Sequence, residues 1–198
     1  MTSTTARAPH DGGHDARLLG AQLELLVGVV SGHRLSQALD SLLRVVEEVS
    51  EDGMLASVLL LDDDGQHLRH CAAPSLPPAY SAAIDGIQIG PAVGSCGTAA
   101  YLRRQVIAKD IAQDPRWLPF QGLARTAGLQ ACWSTPIIGN DDALLGTFAM
   151  YYPDPNTPSD ADLALIEVLV RTVGLAIERR RRDERMEAEL AERRAQGR

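Results

Sequence analysis

Gly94-Ser95-Cys96-Gly97-Thr98-Ala99-Ala100, Gln105-Val106-Ile107-Ala108-Lys109-Asp110-Ile111, Asp114-Pro115-Arg116-Trp117 and Gly128-Leu129-Gln130-Ala131-Cys132-Trp133-Ser134-Thr135-Pro136-Ile137 follow one another in the middle of the chain. The first block reads as a tight glycine turn opening a short helix. Gly94 and Gly97 permit positive φ or close backbone approach. Thr98 is placed to cap the helix that Ala99, Ala100 and Leu102 populate. Val106-Ile107 and the run from Cys132 to Ile138 read as strands, being β-branched, aromatic or apolar and bounded by turn residues. Between them Asp114-Pro115 marks a turn, and Phe120 to Thr126 suits a short helix.

Outward from this stretch, elements alternate. Ala56 to Leu61 and His67 to Ala73 are strands joined by the hairpin turn Asp62-Asp63-Asp64-Gly65. The turn's aspartates lack the ligand series and terminal Glu of an EF-hand loop. A proline-rich loop follows from Pro74 to Pro78, then one or two helical turns over Ala79 to Ile84, then a short strand at Ile87 and Ile89. On the other side, Gly139-Asn140-Asp141-Asp142 turns into a strand over Ala143 to Tyr152, which Pro153-Asp154-Pro155 ends. Ser159 with Asp162 three residues on resembles a capping box. The last helix carries Leu163, Ile166, Val170, Val173 and Ile177 on a heptad-like seam, which weakens into Arg179 to Arg182. Glu178, Asp183 and Glu184 dilute that basic run, so it reads as a solvated face. Before the sheet, Ala16 to Val30 is helical with two apolar stripes: Leu19, Leu23, Leu26 and Val30 on one, Leu18, Leu25 and Val29 on the other. Such a helix needs two partners. Leu35, Leu39, Leu42, Val46 and Val49 give a second helix one face for the sheet.

Composition narrows the class. At 45% apolar and 23% charged, the chain is globular. A net charge of −7 argues against sequence-blind nucleic-acid binding, which needs a basic face. Cys71, Cys96 and Cys132 are too few and too spread for a disulfide scaffold and lack zinc-ligand spacing, so a reducing cytoplasm is expected. Met1 to Asp15 has no apolar core of a signal peptide, and no apolar run is long enough for a membrane span.

The ordered blocks, continued by Leu145-Gly146-Thr147-Phe148-Ala149-Met150-Tyr151-Tyr152 and by Gly174-Leu175-Ala176-Ile177-Glu178-Arg179, resemble the GAF domain, a small-molecule-sensing module. The resemblance spans residues 35–180 and is to the bacterial type found beside histidine kinases and cyclic-di-GMP enzymes. It implies an α/β (α+β) fold: a central antiparallel sheet of five or six strands, terminal helices on one face, and a loop-covered pocket on the other. The chain then divides into a disordered tail (1–15), the domain with its N-terminal helix (16–180) and a C-terminal helical tail (181–198). The implied function is a cytoplasmic sensory module that binds an unidentified small ligand. It forms a homodimer through its terminal helices and relays to a signalling partner such as a kinase or cyclic-di-GMP enzyme. A dimerisation adaptor with no ligand is one alternative.

A second alternative is enzymatic. The free methionine-(R)-sulfoxide reductases share this fold and carry a similar Gly-x-Cys-Gly-Thr-Ala-Ala block and a later Ala-Cys-Asp. Cys96 and Cys132 match their two cysteine positions, with Cys132 matching the attacking thiolate. Trp133, however, stands where the reductases have an acid, and Ser134-Thr135-Pro136-Ile137 holds no counterpart of their acidic cluster. The plainer reading makes both cysteines small buried residues; another makes them redox-responsive without turnover. The pocket candidates are Cys96, Thr98, Asp110, Arg116, Trp117, Cys132, Trp133 and Phe148. No cofactor or metal is evident. Haem would need a proximal histidine facing the pocket, and His67, His70 and His33 stand in no recognisable haem context.

Overall fold

The computed structural model describes residues 12–50 and 52–196. In chain order the elements are α1 (Gly12–Val30), α2 (Leu35–Glu48), β1 (Leu55–Leu61), β2 (His67–Ala72), α3 (Pro78–Ile84), β3 (Ile87–Gln88), α4 (Gly94–Leu102), β4 (Val106–Ala108), a 3-10 turn (Pro115–Trp117), α5 (Gln121–Thr126), β5 (Ala131–Ile138), β6 (Leu144–Tyr152) and α6 (Asp160–Gln196). The strands form one antiparallel sheet in the order β3-β2-β1-β6-β5-β4. Strands β1 and β6 pair at its centre, and β1, β5 and β6 carry buried residues on both faces.

Because side chains alternate across a strand, the sheet separates two cores. On one face Val58, Trp133, Ile137, Phe148, Met150 and Tyr152 pack against α1, α2 and α6, which contribute Leu25, Leu39, Leu42, Val46, Ile166, Leu169, Val173 and Ile177. On the other, Leu59, Leu68, Cys132, Ala149 and Tyr151 meet Tyr80 and Ile84 of α3, Cys96 of α4, Trp117 and Ala124. Each fully buried large side chain contributes about 1.5–3 kcal/mol relative to exposure. The expected architecture, with a six-stranded sheet between terminal helices and a second layer of short helices and loops, is therefore what forms.

Local chemistry explains the boundaries. Gly65 takes φ +68 in the β1–β2 turn, where a side chain would be strained. Gly146 is required for another reason: a Cβ there would lie 2.0 Å from the Leu59 carbonyl oxygen. The start of α6 is a reciprocal cap. The Ser159 amide donates to Asp162 Oδ2 at 2.9 Å, and the Asp162 amide donates to Ser159 Oγ at 3.2 Å. Further along, Glu178 accepts from the amide and the side chain of Asn140, both at 2.7 Å, tying α6 to the β5–β6 turn.

Three expectations change. The first helix begins at Gly12, so residues 12–15 belong to α1 and only the remainder of the expected tail lies outside the described residues. Thr98 is not an N-cap, because α4 begins at Gly94; its hydroxyl instead accepts from the Val93 amide at 3.1 Å. Trp133 and Phe148 do not face the pocket layer. They sit on the helix face, and the Trp133 indole donates to the Asn156 carbonyl at 3.3 Å. Among the described residues, no helix is long and apolar enough to cross a membrane.

Candidate functional site

Strand register builds the site. Cys132 and Ser134 of β5, Thr147, Ala149 and Tyr151 of β6, and Ser57 and Leu59 of β1 share the face away from the terminal helices. Ala149 pairs with Ser57 on one side and Ser134 on the other, while Tyr151 pairs with Leu55 and Cys132. Ala149 offers only a methyl group there. The result is a depression with an alanine floor and hydroxyl walls. Helix α4 lies directly over β5 and β6 and carries Cys96 in its first turn.

Cys96 Sγ lies 3.6 Å from the Tyr151 hydroxyl, which lies 3.5 Å from Ser57 Oγ. Ser134 Oγ and Thr147 Oγ1 are buried and have no hydrogen-bond partner. Neither forms a well-aligned hydrogen bond with sulfur, but both stand close enough to favour its thiolate. The Cys132 thiol first, then Tyr151, Ser134 and Thr147, pull Cys96 down to about 7 against the opposing effect of burial. Burial and the neighbouring Cys96 push the Cys132 thiol well up. Cys71, on β2, is pushed up to about 11 by burial and Asp40, and packs against the other core. All three thiols are unpaired.

A neighbouring chain of hydrogen bonds fixes α4 to β5. The Trp117 indole donates to Ser95 Oγ at 3.0 Å, and Ser95 Oγ donates to the Cys132 carbonyl at 3.1 Å. Tyr80 meets Tyr151 edge-on, with ring centroids 5.7 Å apart. Above these groups a cavity of about 20 Å³ reaches Cys96, walled by Leu59, Tyr80, Ile84, Trp117 and Tyr151. That is room for about one water-sized molecule. No charged side chain lines it.

The sequence candidates therefore divide. Cys96, Cys132 and Trp117 converge on the cavity layer. Thr98 braces the turn into α4. Arg116 is occupied: it pairs with Asp114 and donates to the Ile107 carbonyl at 3.1 Å. Asp110 accepts from the Ala112 amide at 2.9 Å and lines a separate open groove with Gln121 and Arg125. His33 and His70 are exposed, and His67 pairs with Asp64. Sequence reading missed Ser57, Ser95, Ser134, Thr147, Tyr80 and Tyr151. The parity of β5 and β6 was the signal available, since it puts Ser134, Thr147 and Tyr151 on the face of Cys132. Among the described residues, no group of three or more side chains is placed to hold a metal ion.

The Methyl sulfide methyltransferase-associated sensor of Methanosarcina acetivorans is 35% identical over 161 residues, covering 81% of this chain. The chain spans 16% of that relative's length. A putative GAF sensor protein from Burkholderia vietnamiensis superposes with a TM-score of 0.66 at 18% identity, covering 85% of this chain and 98% of the other. Free methionine-R-sulfoxide reductase from Neisseria meningitidis, in complex with its substrate, gives 0.65 at 14% identity, covering 90% and 98%. These two likenesses concern the fold. The sequence itself matches the GAF domain family over residues 32–178, and the chain belongs to that family.

Proposed function

We propose that the chain is a sensory module of a signalling protein, which reads a small molecule at the Cys96 cavity and passes the change along α6. The observation that carries this reading is the charge-free cavity against a cluster of buried hydroxyls and thiols, on the sheet face opposite the terminal helices. A relative named as a sensor supports it. The cavity and α6 touch the same strand from opposite sides: Cys132 and Ile137 both belong to β5, and Ile137 packs in the core that α6 helps to form. A displacement of α4 is thus two layers from α6.

The output is a dimer and a partner beyond it. Helix α1 leaves Leu19, Leu23, Val27 and Val30 exposed at helical spacing, and α6 leaves Val168, Leu175, Met186 and Leu190 exposed. Beyond Ile177, α6 runs to Gln196 with no buried residue, about 28 Å of helix at 1.5 Å per residue. Most helical stability in proteins comes from packing one face against a partner, and this length has no buried face of its own. A second copy that brings the same two helices supplies the missing face for both. The partner reached through α6 would be a kinase or cyclic-di-GMP enzyme, in a reducing cytoplasm that suits three unpaired thiols.

The reductase alternative needs Cys132 as the attacking thiolate. Cys132 is fully buried, its thiol is pushed up, and no carboxylate lines the cavity. The test is native mass spectrometry of the purified chain alongside turnover of free methionine-(R)-sulfoxide with a thioredoxin system. A dimer mass carrying a small non-covalent adduct, with no turnover, is the expected result. A monomer at every micromolar concentration with no adduct would overturn the sensory reading. Turnover that disappears in Cys132→Ser would make the chain an enzyme.

A further inference from the structure

We propose that Cys96 is a thiol that a hydroperoxide oxidises, and that Cys132 then closes it into a buried disulfide. Four observations lead there. The two thiols lie in one buried cluster across the α4–β5 interface, where Ser95, next to Cys96 in the chain, donates to the Cys132 carbonyl at 3.1 Å. The cavity that reaches Cys96 holds about 20 Å³. That suits a molecule of one or two oxygen atoms and is too small for a free amino acid or a tetrapyrrole without rearrangement of α3 and α4. Ser134 Oγ and Thr147 Oγ1 are buried without hydrogen-bond partners on the strands beneath Cys96, where an oxygen carried on the Cys96 sulfur would satisfy them. Cys132, by contrast, does not line the cavity and has no exposed surface. The order of reaction follows from access: Cys96 first, Cys132 second. This reverses the roles that the reductase resemblance assigns.

The Cys96 thiolate attacks one oxygen of hydrogen peroxide. An S–O bond forms as the O–O bond breaks, and the electron pair leaves with the distal oxygen. That oxygen takes a proton and departs as water; the Tyr151 hydroxyl, 3.6 Å from the sulfur, is placed to pass it. Cys96 is now a sulfenic acid, oxidised by two electrons as the peroxide is reduced. The Cys132 thiol attacks the sulfenic sulfur, forming the S–S bond and breaking the S–O bond. Its proton leaves with the hydroxyl as a second water. Two thiols and one peroxide thus give one disulfide and two waters. The bond would lock α4 to β5 at the point where the Ser95–Cys132 hydrogen bond already joins them. Its use as a signal rests on the sensory reading above, while the chemistry does not.

The experiment treats the reduced, full chain with equimolar hydrogen peroxide at neutral pH and quenches with iodoacetamide. Intact mass and non-reducing peptide maps follow. A Cys96–Cys132 link with Cys71 alkylated is expected. In Cys132→Ser, dimedone should trap a sulfenic acid at Cys96. In Cys96→Ser, oxidation at Cys132 should slow by about tenfold or more. Folded wild-type chain that forms no such link, or dimedone found on Cys132 in Cys96→Ser as fast as on Cys96 in Cys132→Ser, overturns the proposal. Should a serine variant unfold, the wild-type map alone decides. A disulfide that leaves amide exchange along α6 unchanged upholds the thiol site and removes its signalling use. An unlinked chain that carries a native adduct does the opposite.

Discussion

Thr147 places a buried hydroxyl without a hydrogen-bond partner where it favours the Cys96 thiolate. Its replacement by Val keeps shape and removes the dipole. The Cys96 midpoint should then rise from about 7 by about one unit, the scale of a hydrogen bond to a charged group. Stability to urea should stay within about 1 kcal/mol, because the hydroxyl is unsatisfied in the neutral state. Iodoacetamide alkylation against pH reads the first quantity. In the parent chain the rate should climb through about pH 7, since the thiolate reacts and the thiol does not. Cys132 on β5, Tyr151 on β6 and Tyr80 on α3 face Cys96 and are all pushed up, so they stay protonated across that range. Asp114 and Arg116 are the nearby charges and pair with each other. An unchanged midpoint with a clear loss of stability would show that the Thr147 hydroxyl is satisfied by another group. At this scale the sequence showed Cys96, Trp117 and Cys132 because thiols and indoles are rare and chemically pointed. Serine and threonine in a strand are not. Ser134 and Thr147 acquire meaning only through the register that sets Ser134 beside Ala149 and Pro136 beside Thr147. The Trp133 expectation failed on parity: as a strand neighbour of Cys132 it must face the other layer.

Strand β6 depends on Gly146 for its close approach to β1. A methyl group there would press into the backbone of β1, with 2.0 Å to the Leu59 carbonyl oxygen and 3.0 Å to the Leu60 Cα. Backbone at the centre of a sheet cannot step aside as a flexible side chain does. Gly146→Ala should therefore cost about 3 kcal/mol or more, at the upper end for overpacking, and leave a chain partly unfolded at 37 °C. Urea denaturation followed by circular dichroism measures it; a loss below about 1 kcal/mol would mean that β1 and β6 can part at this point. Ser159→Ala removes half of the reciprocal cap on α6 and should cost about 1 kcal/mol. Elements were legible where a period was sustained: both terminal helices, the β1–β2 hairpin, β5 and β6 all lie within a few residues of their sequence boundaries. The start of α4 was less so. Four small residues, Gly94, Ser95, Gly97 and Ala99, carry no helical period, and Thr98 attracted the cap assignment that the true start at Gly94 removes.

Across the molecule, two apolar stripes stay bare among the described residues, and they lie on helices that already touch. Thr172 of α6 donates to Gln22 of α1 at 2.6 Å. Val168 and Leu175 flank Thr172 on α6, while Leu19 and Leu23 stand within a turn of Gln22 on α1. The sequence foresaw two faces on α1, because Leu19, Leu23, Leu26 and Val30 fall on one stripe and Leu18, Leu25 and Val29 on another. What it did not show was which stripe stays outside, since that depends on how α6 crosses α1. With Leu23→Glu and Val27→Glu together, charge enters the bare stripe at positions 55% and 64% exposed. Exposed substitutions of this kind change stability by about 0.5 kcal/mol each or less, so the fold should survive. The dimer should not, because two carboxylates from each copy would have to lose their water at a shared apolar seam. Sedimentation velocity at micromolar concentration should show a dimer for the parent chain and a monomer for the variant, with near-equal midpoints of thermal unfolding once the concentration dependence is removed. A variant that remains dimeric would place the seam on the exposed length of α6 beyond Ile177, where Met186 and Leu190 are the apolar residues left to build it.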